Sequence, residues 1–359
     1  MQLRIPGPTP CPPEVLEALS KQMINHRGKE FAEILNGVTD KLKTLFQTKN
    51  DVFVLTGSGT GSMEAAIVNV LSPGDKVLSA SNGVFGDRFA TIAERFGADV
   101  KRIKFEWGKP VDPDEVRKAL KDNPAVKAVL VTYNETSTGV TSDLAAVSAA
   151  IKEFDKLIIV DAISALGSID MKVDDWKCDV VVTGSQKGWM VPPGLAMASM
   201  SNDAWKAHAE AKMPRFYWDF TQAKNYLEKG QTPWTPAVSI FYALKISLDM
   251  LISEGLSNIF ARHARIAQYT RDGVKSIGLP LFADEKYASN TITAVKAPDN
   301  LNVSKLLQIL RDEHDVVLAG GQGSLVGKIF RIGHLGWVEE DDIKEVLDKI
   351  VKVLPQASS

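Results

Sequence analysis

The sequence predicts an α/β fold, in which a large first domain carries a mostly parallel sheet sandwiched by helices and a smaller C-terminal α/β domain follows. Three observations carry this expectation. Short apolar runs at residues 52–55, 76–79, 126–132, 157–160 and 180–182 alternate with helical patterns, which is the signature of a parallel sheet covered on both faces. At 359 residues the chain exceeds the size at which a single core stops growing. Finally, the loop at Ser58, Asp161 and Lys187 all fall at carboxyl ends of expected strands, where ligands of such sheets bind.

Taken in order, Phe31, Ile34, Leu35, Val38, Leu42, Leu45 and Phe46 recur at helical spacing and give an amphipathic helix ahead of the first strand. The first strand, residues 52–55, runs through a small-residue loop into a helical stretch at 63–71. Further helical patterns occupy residues 89–96 and 143–154. Residues 200–230 are rich in Trp, Tyr, Phe and Lys without a clean period, and are read as an excursion over the surface or into a subunit contact. Helices are expected again at 238–252 and 256–277. A strand at 291–295, a helix through 306–310, a strand at 328–332 and a last helix at 341–353 make up the small domain. The domain boundary is placed near Glu254, giving a large domain of residues 1–254, with an N-terminal segment 1–28, and a small domain of residues 255–359.

Composition narrows the function classes. A net charge of −2 offers no basic face for nucleic acid. Cys11 and Cys178 provide neither a disulfide framework nor metal spacing, and no two of His26, His208, His263, His314 and His334 stand four residues apart. No metal is expected. The N-terminus has no apolar signal region and no apolar run approaches about 18 residues, so the chain is read as cytoplasmic, with no membrane partner.

Lys187 is the residue most suggestive of chemistry. It follows the apolar run DVVVTGS (residues 179–185) after Gln186 and opens the Gly/Pro-interrupted stretch KGWMVPPG (187–194). An amine there can lose its proton through desolvation and nearby positive charge, as a Schiff-base lysine requires; the alternative is a solvated lysine at a strand end. Asp161 closes KLIIVD (156–161). Strand interiors are depleted in Asp, and a carboxylate at the edge of a buried sheet needs a cation. A protonated pyridine nitrogen would serve, although a turn or helix-cap carboxylate is equally compatible with the pattern.

The loop LTGSGTGS (55–62) between a strand and a helix suits an anion, because glycines let backbone N–H groups approach an oxyanion and the helix N-terminus adds unpaired donors. It lacks the Gly-Lys-Ser/Thr ending of a Walker loop. The following strand closes with Asn82 rather than an acid, so one phosphate fits better than a dinucleotide. Arg331, alone inside an apolar run, calls for a buried anion, either a bidentate carboxylate or a structural acid. Arg27, in NHRG (25–28), could bring a second cation to the site or simply belong to a capped turn. Gly7 could bring backbone close to a substrate or permit the turn between Pro6 and Pro8.

Across nearly its whole length the chain resembles the class V, fold-type-I aminotransferases that use pyridoxal 5'-phosphate (PLP), in the alanine:glyoxylate and serine:pyruvate (serine:glyoxylate) group. The motifs that carry the resemblance are PGPT (6–9), SGTG (58–61), NGVFG (82–86), ETSTG (135–139), Val160 with Asp161, GSQK (184–187) and FRIG (330–333). It implies a seven-stranded-type sheet and a homodimer with shared active sites. Lys187 would hold PLP as a Schiff base and shuttle the substrate proton, and Asp161 would keep the pyridine nitrogen protonated. Phe85 would stack on one ring face and Ile163 press on the other, with Thr136 near the ring hydroxyl. Ser58, Gly59, Thr60 and Gln186 would face the phosphate, joined by Thr235 of a neighbouring subunit. Arg331 would anchor the substrate α-carboxylate, with Gly7 close by.

The implied reaction is transamination between alanine or serine and glyoxylate or pyruvate. The alternatives are an aspartate or broad-specificity class V aminotransferase, a PLP-dependent lyase, and a non-enzymatic PLP carrier. Two positions depart from the family pattern. Thr232 replaces a Tyr found in relatives three residues before the neighbouring-subunit threonine, and Thr60 stands where some have His. A cysteine desulfurase would need a nucleophilic Cys in the later half, and none follows Cys178.

Overall fold

The computed structural model describes residues 1–358. Seven strands form the central sheet: β1 (Asp51–Gly57), β2 (Lys76–Ser81), β3 (Asp99–Lys104), β4 (Ala128–Thr132), β5 (Leu157–Asp161), β6 (Val180–Gly184) and β7 (Gly194–Met200). Their spatial order is β1-β7-β6-β5-β4-β2-β3. Only β7 runs against its neighbours, pairing antiparallel with both β1 and β6. The central strands β4, β5 and β6 are apolar and almost continuously buried, as expected of parallel strands covered on both sides.

Two of the seven strands are absent from the apolar pattern, each for a physical reason. β3, at the sheet edge, alternates with charged side chains and buries no residue fully, which suits a protected edge. β7 reads GLAMASM, small residues of low strand propensity, held in place by ladders on both sides. The irregular segment at residues 200–230 contains two short helices, Asn202–Glu210 and Phe220–Leu227.

Helices cover both faces. In α1 (Lys29–Phe46) the buried side chains Phe31, Leu35, Val38, Leu42, Leu45 and Phe46 form the apolar stripe, and Ile34 is only half-buried. The helix after the first strand, α2 (Gly59–Val70), begins four residues before the expected apolar start because Ser58 caps it. α3 (Val84–Arg95) follows β2, and α4 (Leu144–Lys152) is capped by Asp143. Farther on, α5 (Val238–Glu254) passes through Gly255 into α6 (Leu256–Ser276).

A separate apolar cluster gathers side chains from Ile266 to Ala357. Its sheet has the order β8-β10-β9, all antiparallel, with β8 (Ile292–Lys296), β9 (Ala319–Gly320) and β10 (Ile329–Gly333). Against it pack α7 (Val303–His314) and α8 (Glu340–Ala357). The first residues of the chain join this second core: Gln2 and Leu3 pair in parallel with Val316 and Val317, and the Gly333 N–H donates to the Arg4 carbonyl at 2.7 Å. The N-terminus thereby ties the small sheet to the rim of the large one. No helix among the described residues is long and apolar enough to cross a membrane.

Candidate active site

The candidate residues gather at the carboxyl edge of the large sheet, where β1, β2, β4, β5 and β6 each deliver a loop. Lys187 sits in the turn from β6 to β7. That turn is held by Trp189, fully buried, whose Nε1 donates to Thr183 Oγ1 at 3.0 Å and whose ring stacks on Phe46. Met190 takes a positive φ of 55° and its N–H donates to the Lys187 carbonyl at 3.0 Å. From outside, Thr9 Oγ1 donates to the same carbonyl at 3.0 Å and the Thr9 N–H to the Gln186 carbonyl at 3.1 Å. The backbone around the lysine is therefore fixed from two directions.

The lysine amine itself is buried and donates to the Pro6 carbonyl at 2.6 Å. Burial pulls its pKa down to about 8; Asp161 opposes this, while Arg331 and Arg88 reinforce it. Gly7 has a φ of +138°, and an added Cβ would lie 2.6 Å from Lys187 Nζ. Only glycine lets backbone pass so close to the amine.

Asp161 ends β5 at the centre of the sheet, in register with Thr132 on one side and Val182 on the other. Its Oδ1 accepts the Ile163 N–H at 2.9 Å. Burial drives its pKa up to about 7, an effect partly offset by that hydrogen bond and augmented by Glu135; Lys187 and Arg88 act on it only through longer-range attraction. The carboxylate thus lacks a cation in direct contact.

Arg331 is 5 % exposed. Its Nε donates to the Gly320 carbonyl at 2.9 Å, and its Nη1 to the Thr136 carbonyl at 3.1 Å and to Gln322 Oε1 at 3.4 Å. Every partner is neutral. Burial lowers its pKa to about 10, with only distant help from Glu135, so the guanidinium is a buried cation without a carboxylate to meet it.

The remaining expected residues lie on the neighbouring loops. Ser58 caps α2 by accepting the Gly61 N–H at 3.4 Å. Gly59 packs against Ile163, whose Cδ1 would be 2.8 Å from an added Cβ, so the glycine brings the first turn of α2 up to the Asp161 loop. Thr60 Oγ1 accepts from Arg88 Nη1 at 3.5 Å, and the Arg88 guanidinium lies 4.7 Å from the centroid of the Phe85 ring. Thr136 Oγ1 donates to Ser164 Oγ at 2.7 Å. Gln186 Oε1 is buried with no hydrogen-bond partner.

Two residues lie elsewhere in the chain's own geometry. Thr235 is exposed and makes none of these contacts. Arg27 is committed to the segment beside it, with Nη1 donating to Gln231 Oε1 at 3.0 Å and to the Thr232 carbonyl at 2.6 Å, and Nη2 to the Pro233 carbonyl at 3.0 Å. Sequence reasoning assigned no role to Arg88, Ser164, Gln322 or Glu135. For Glu135 a signal existed: a carboxylate just beyond the largely apolar, fully buried strand β4, the same kind of anomaly that marked Asp161.

The family model described as Aminotransferase class-V matches residues 3–339. The soluble hydrogenase small subunit of Synechococcus sp. is 45 % identical over 99 % of this chain and 93 % of its own length. The L-aspartate–glyoxylate aminotransferase of Paracoccus denitrificans is 39 % identical over 92 % of this chain and 85 % of its own. Among solved structures, an alanine–glyoxylate aminotransferase from Nostoc sp. superposes with a TM-score of 0.95 at 31 % identity, covering 98 % of this chain and 95 % of that one.

Proposed function

The chain belongs to the class-V aminotransferase family and is an aminotransferase; we propose that it uses PLP to move an amino group from a small L-amino acid, alanine or serine, to a 2-oxo acid, glyoxylate or pyruvate. The observation that carries this reading is a buried guanidinium, Arg331, with no acid partner, sharing a cleft with the desolvated amine of Lys187.

The residues present fit the cofactor. Asp161 is a buried carboxylate without a contacting cation, a fit for a pyridinium nitrogen. Gln186 Oε1 lacks a partner, and Gly59 and Thr60 open a helix, whose start favours an anion. Bound PLP supplies an aldehyde that captures the substrate nitrogen and a ring that accepts the electron pair released at the α-carbon. Lys187 would hold the cofactor covalently and, once released, carry the proton to and from the α-carbon. Asp161 would hold the ring proton. Phe85 and Ile163 would sandwich the ring, and Thr136 would hydrogen-bond beside it. Ser58, Gly59, Thr60 and Gln186 would hold the phosphate.

Arg331 would bind the substrate α-carboxylate through its planar fork, and Gly7 would keep backbone against the lysine amine without crowding the substrate. Thr235 of a second copy would reach the phosphate, which makes the protein a homodimer. Its exposure supports this, as do the neighbouring rings of Phe216, 74 % exposed, and Trp234, stacked at 4.6 Å. A cytoplasmic setting agrees with two free cysteines.

Glyoxylate is the acceptor favoured by the names of the Paracoccus and Nostoc relatives. Aspartate as donor, suggested by the Paracoccus protein, would use a second cation, and within one chain Arg27 is held on carbonyls instead. The test is a panel of alanine, serine and aspartate against glyoxylate, pyruvate and 2-oxoglutarate with the PLP-loaded protein. Turnover of alanine or serine with glyoxylate is the expected result. Turnover of aspartate with 2-oxoglutarate alone would overturn the substrate assignment.

A further inference from the structure

Glu135 is a buried acid for which the proposed chemistry has no use. It is wholly buried, three residues beyond the end of β4. Its Oε2 accepts the Phe85 N–H at 3.1 Å and the Gly86 N–H at 3.0 Å, and its Oε1 accepts the Ser137 N–H at 3.0 Å and the Ser137 hydroxyl at 2.5 Å. Helix α3, which carries Phe85, has no cap from its own chain segment: Gly83 precedes it without a side chain. The missing cap comes from the loop after β4. Ser137 Oγ accepts the Val84 N–H at 2.9 Å, and Glu135 takes the next two N–H groups. Three otherwise unpaired donors at the helix start are thus satisfied in trans.

These contacts also fix the charge of the group. The Ser137 hydroxyl accepts from Val84, so its proton points to Glu135. All four neighbours are donors, and a protonated carboxyl would have to turn a hydrogen toward one of them. Burial leaves the Glu135 pKa raised, the four hydrogen bonds offsetting only part of the effect, while the start of a helix favours negative charge. The chain keeps Gly83 beside this carboxylate: an added Cβ would lie 2.4 Å from Glu135 Cγ. From there the negative charge acts on Asp161 and on Arg331 at longer range.

Building on the functional reading above, we propose that Glu135 is a positioning residue for the cofactor ring: as a carboxylate it locks the first turn of α3, and so the ring of Phe85, while supplying the negative field in which Asp161 and Arg331 work. It touches neither substrate nor cofactor. The arrangement separates shape from charge. Glu135→Gln keeps the length of the side chain but turns an NH2 toward an N–H or a hydroxyl, and removes the charge. Glu135→Asp keeps the charge and shortens the reach.

The test uses the PLP-loaded wild-type protein and both variants, reading the PLP dissociation constant, the pH midpoint of the visible cofactor band, and amide exchange of Phe85 and Gly86 in the cofactor-free proteins. For Glu135→Gln we expect PLP binding weakened about tenfold, on the scale of a lost helix cap. The band midpoint should move by about half a pH unit, because Glu135 acts on Asp161, which in turn acts on Lys187, and exchange at residues 85 and 86 should quicken. Glu135→Asp should retain the wild-type midpoint while binding PLP more weakly. Wild-type binding and midpoint in Glu135→Gln would overturn the inference, as would variants that only lose thermal stability with both readouts unmoved. A wild-type protein that takes up no PLP defeats the functional reading itself, whereas loaded wild type with an indifferent Glu135→Gln defeats this inference alone.

Discussion

The two walls of the cleft are built on different principles. On the large-sheet side, Asp161 closes a parallel strand and is fixed by the sheet register, and Lys187 follows one, on a turn held by the buried Trp189. On the small-sheet side, Arg331 lies inside β10, paired with Ala294 of β8 and Ala319 of β9, and borrows the carbonyls of Gly320 and Thr136. The first wall holds groups whose protonation is tuned by burial. The second holds a cation that burial leaves unmatched. The difference separates chemistry from recognition: changes on the large-sheet wall should act on kcat, and changes on the small-sheet wall on KM.

The largest effect should come from Lys187→Ala. Loss of the proposed covalent anchor and proton carrier should slow turnover on the order of 10⁴-fold or more, and borohydride should no longer attach PLP at this position. Trapping of PLP at another lysine in the wild type would break the large-sheet half of the comparison.

Arg331→Ala should come next, lowering kcat/KM for the amino acid about 100-fold, on the scale of a lost buried charge pair, with most of the change in KM. Arg331→Lys should recover only part, because an ammonium lacks the planar fork. An equal fall in kcat with KM unmoved would erase the distinction between the walls.

The smallest effect is one of pH. Lys187 in the cofactor-free protein has its pKa lowered to about 8 by burial, so its neutral amine, the attacking form, grows in as pH rises through that value. The rate of PLP attachment should climb to a plateau above about pH 8, measured by stopped-flow absorbance. Linkage gives a companion signature. Between about 8 and the ordinary lysine value, the unfolded chain binds the proton that folded Lys187 has released, so this group adds stability as pH rises and loses it as pH falls through about 8. Asp161 has the opposite sign. Its raised folded value near 7 makes its contribution complete below the ordinary aspartate range and lost as pH climbs to about 7.

Much of the large-sheet wall was legible in the chain because local rules and fold agree there. A carboxylate closing an apolar strand and a glycine-rich strand-to-helix loop are anomalies visible at short range, and Gly59 packs against Ile163 of the Asp161 loop. The less legible parts depend on contacts distant in sequence. Strand β7 consists of small residues whose extended form is imposed by β1 and β6. Arg27 reads as a spare cation until residues 231–233 take up its donors. Glu135 stands out as an acid just past a buried strand, but the donors it serves lie about fifty residues upstream, at the uncapped start of α3.

By itself, the sequence determined most of the helix–strand alternation, the family motifs and the identities of the groups at the strand ends, because periodicity and local polarity act within a few residues. Tertiary structure alone decided which charges are matched. Arg331 meets carbonyls instead of an acid, Asp161 meets no cation in contact, and Glu135 meets four donors. Whether a buried charge is satisfied depends on what the fold brings from far along the chain, and the desolvation that makes these groups reactive exists only once both cores have closed around them.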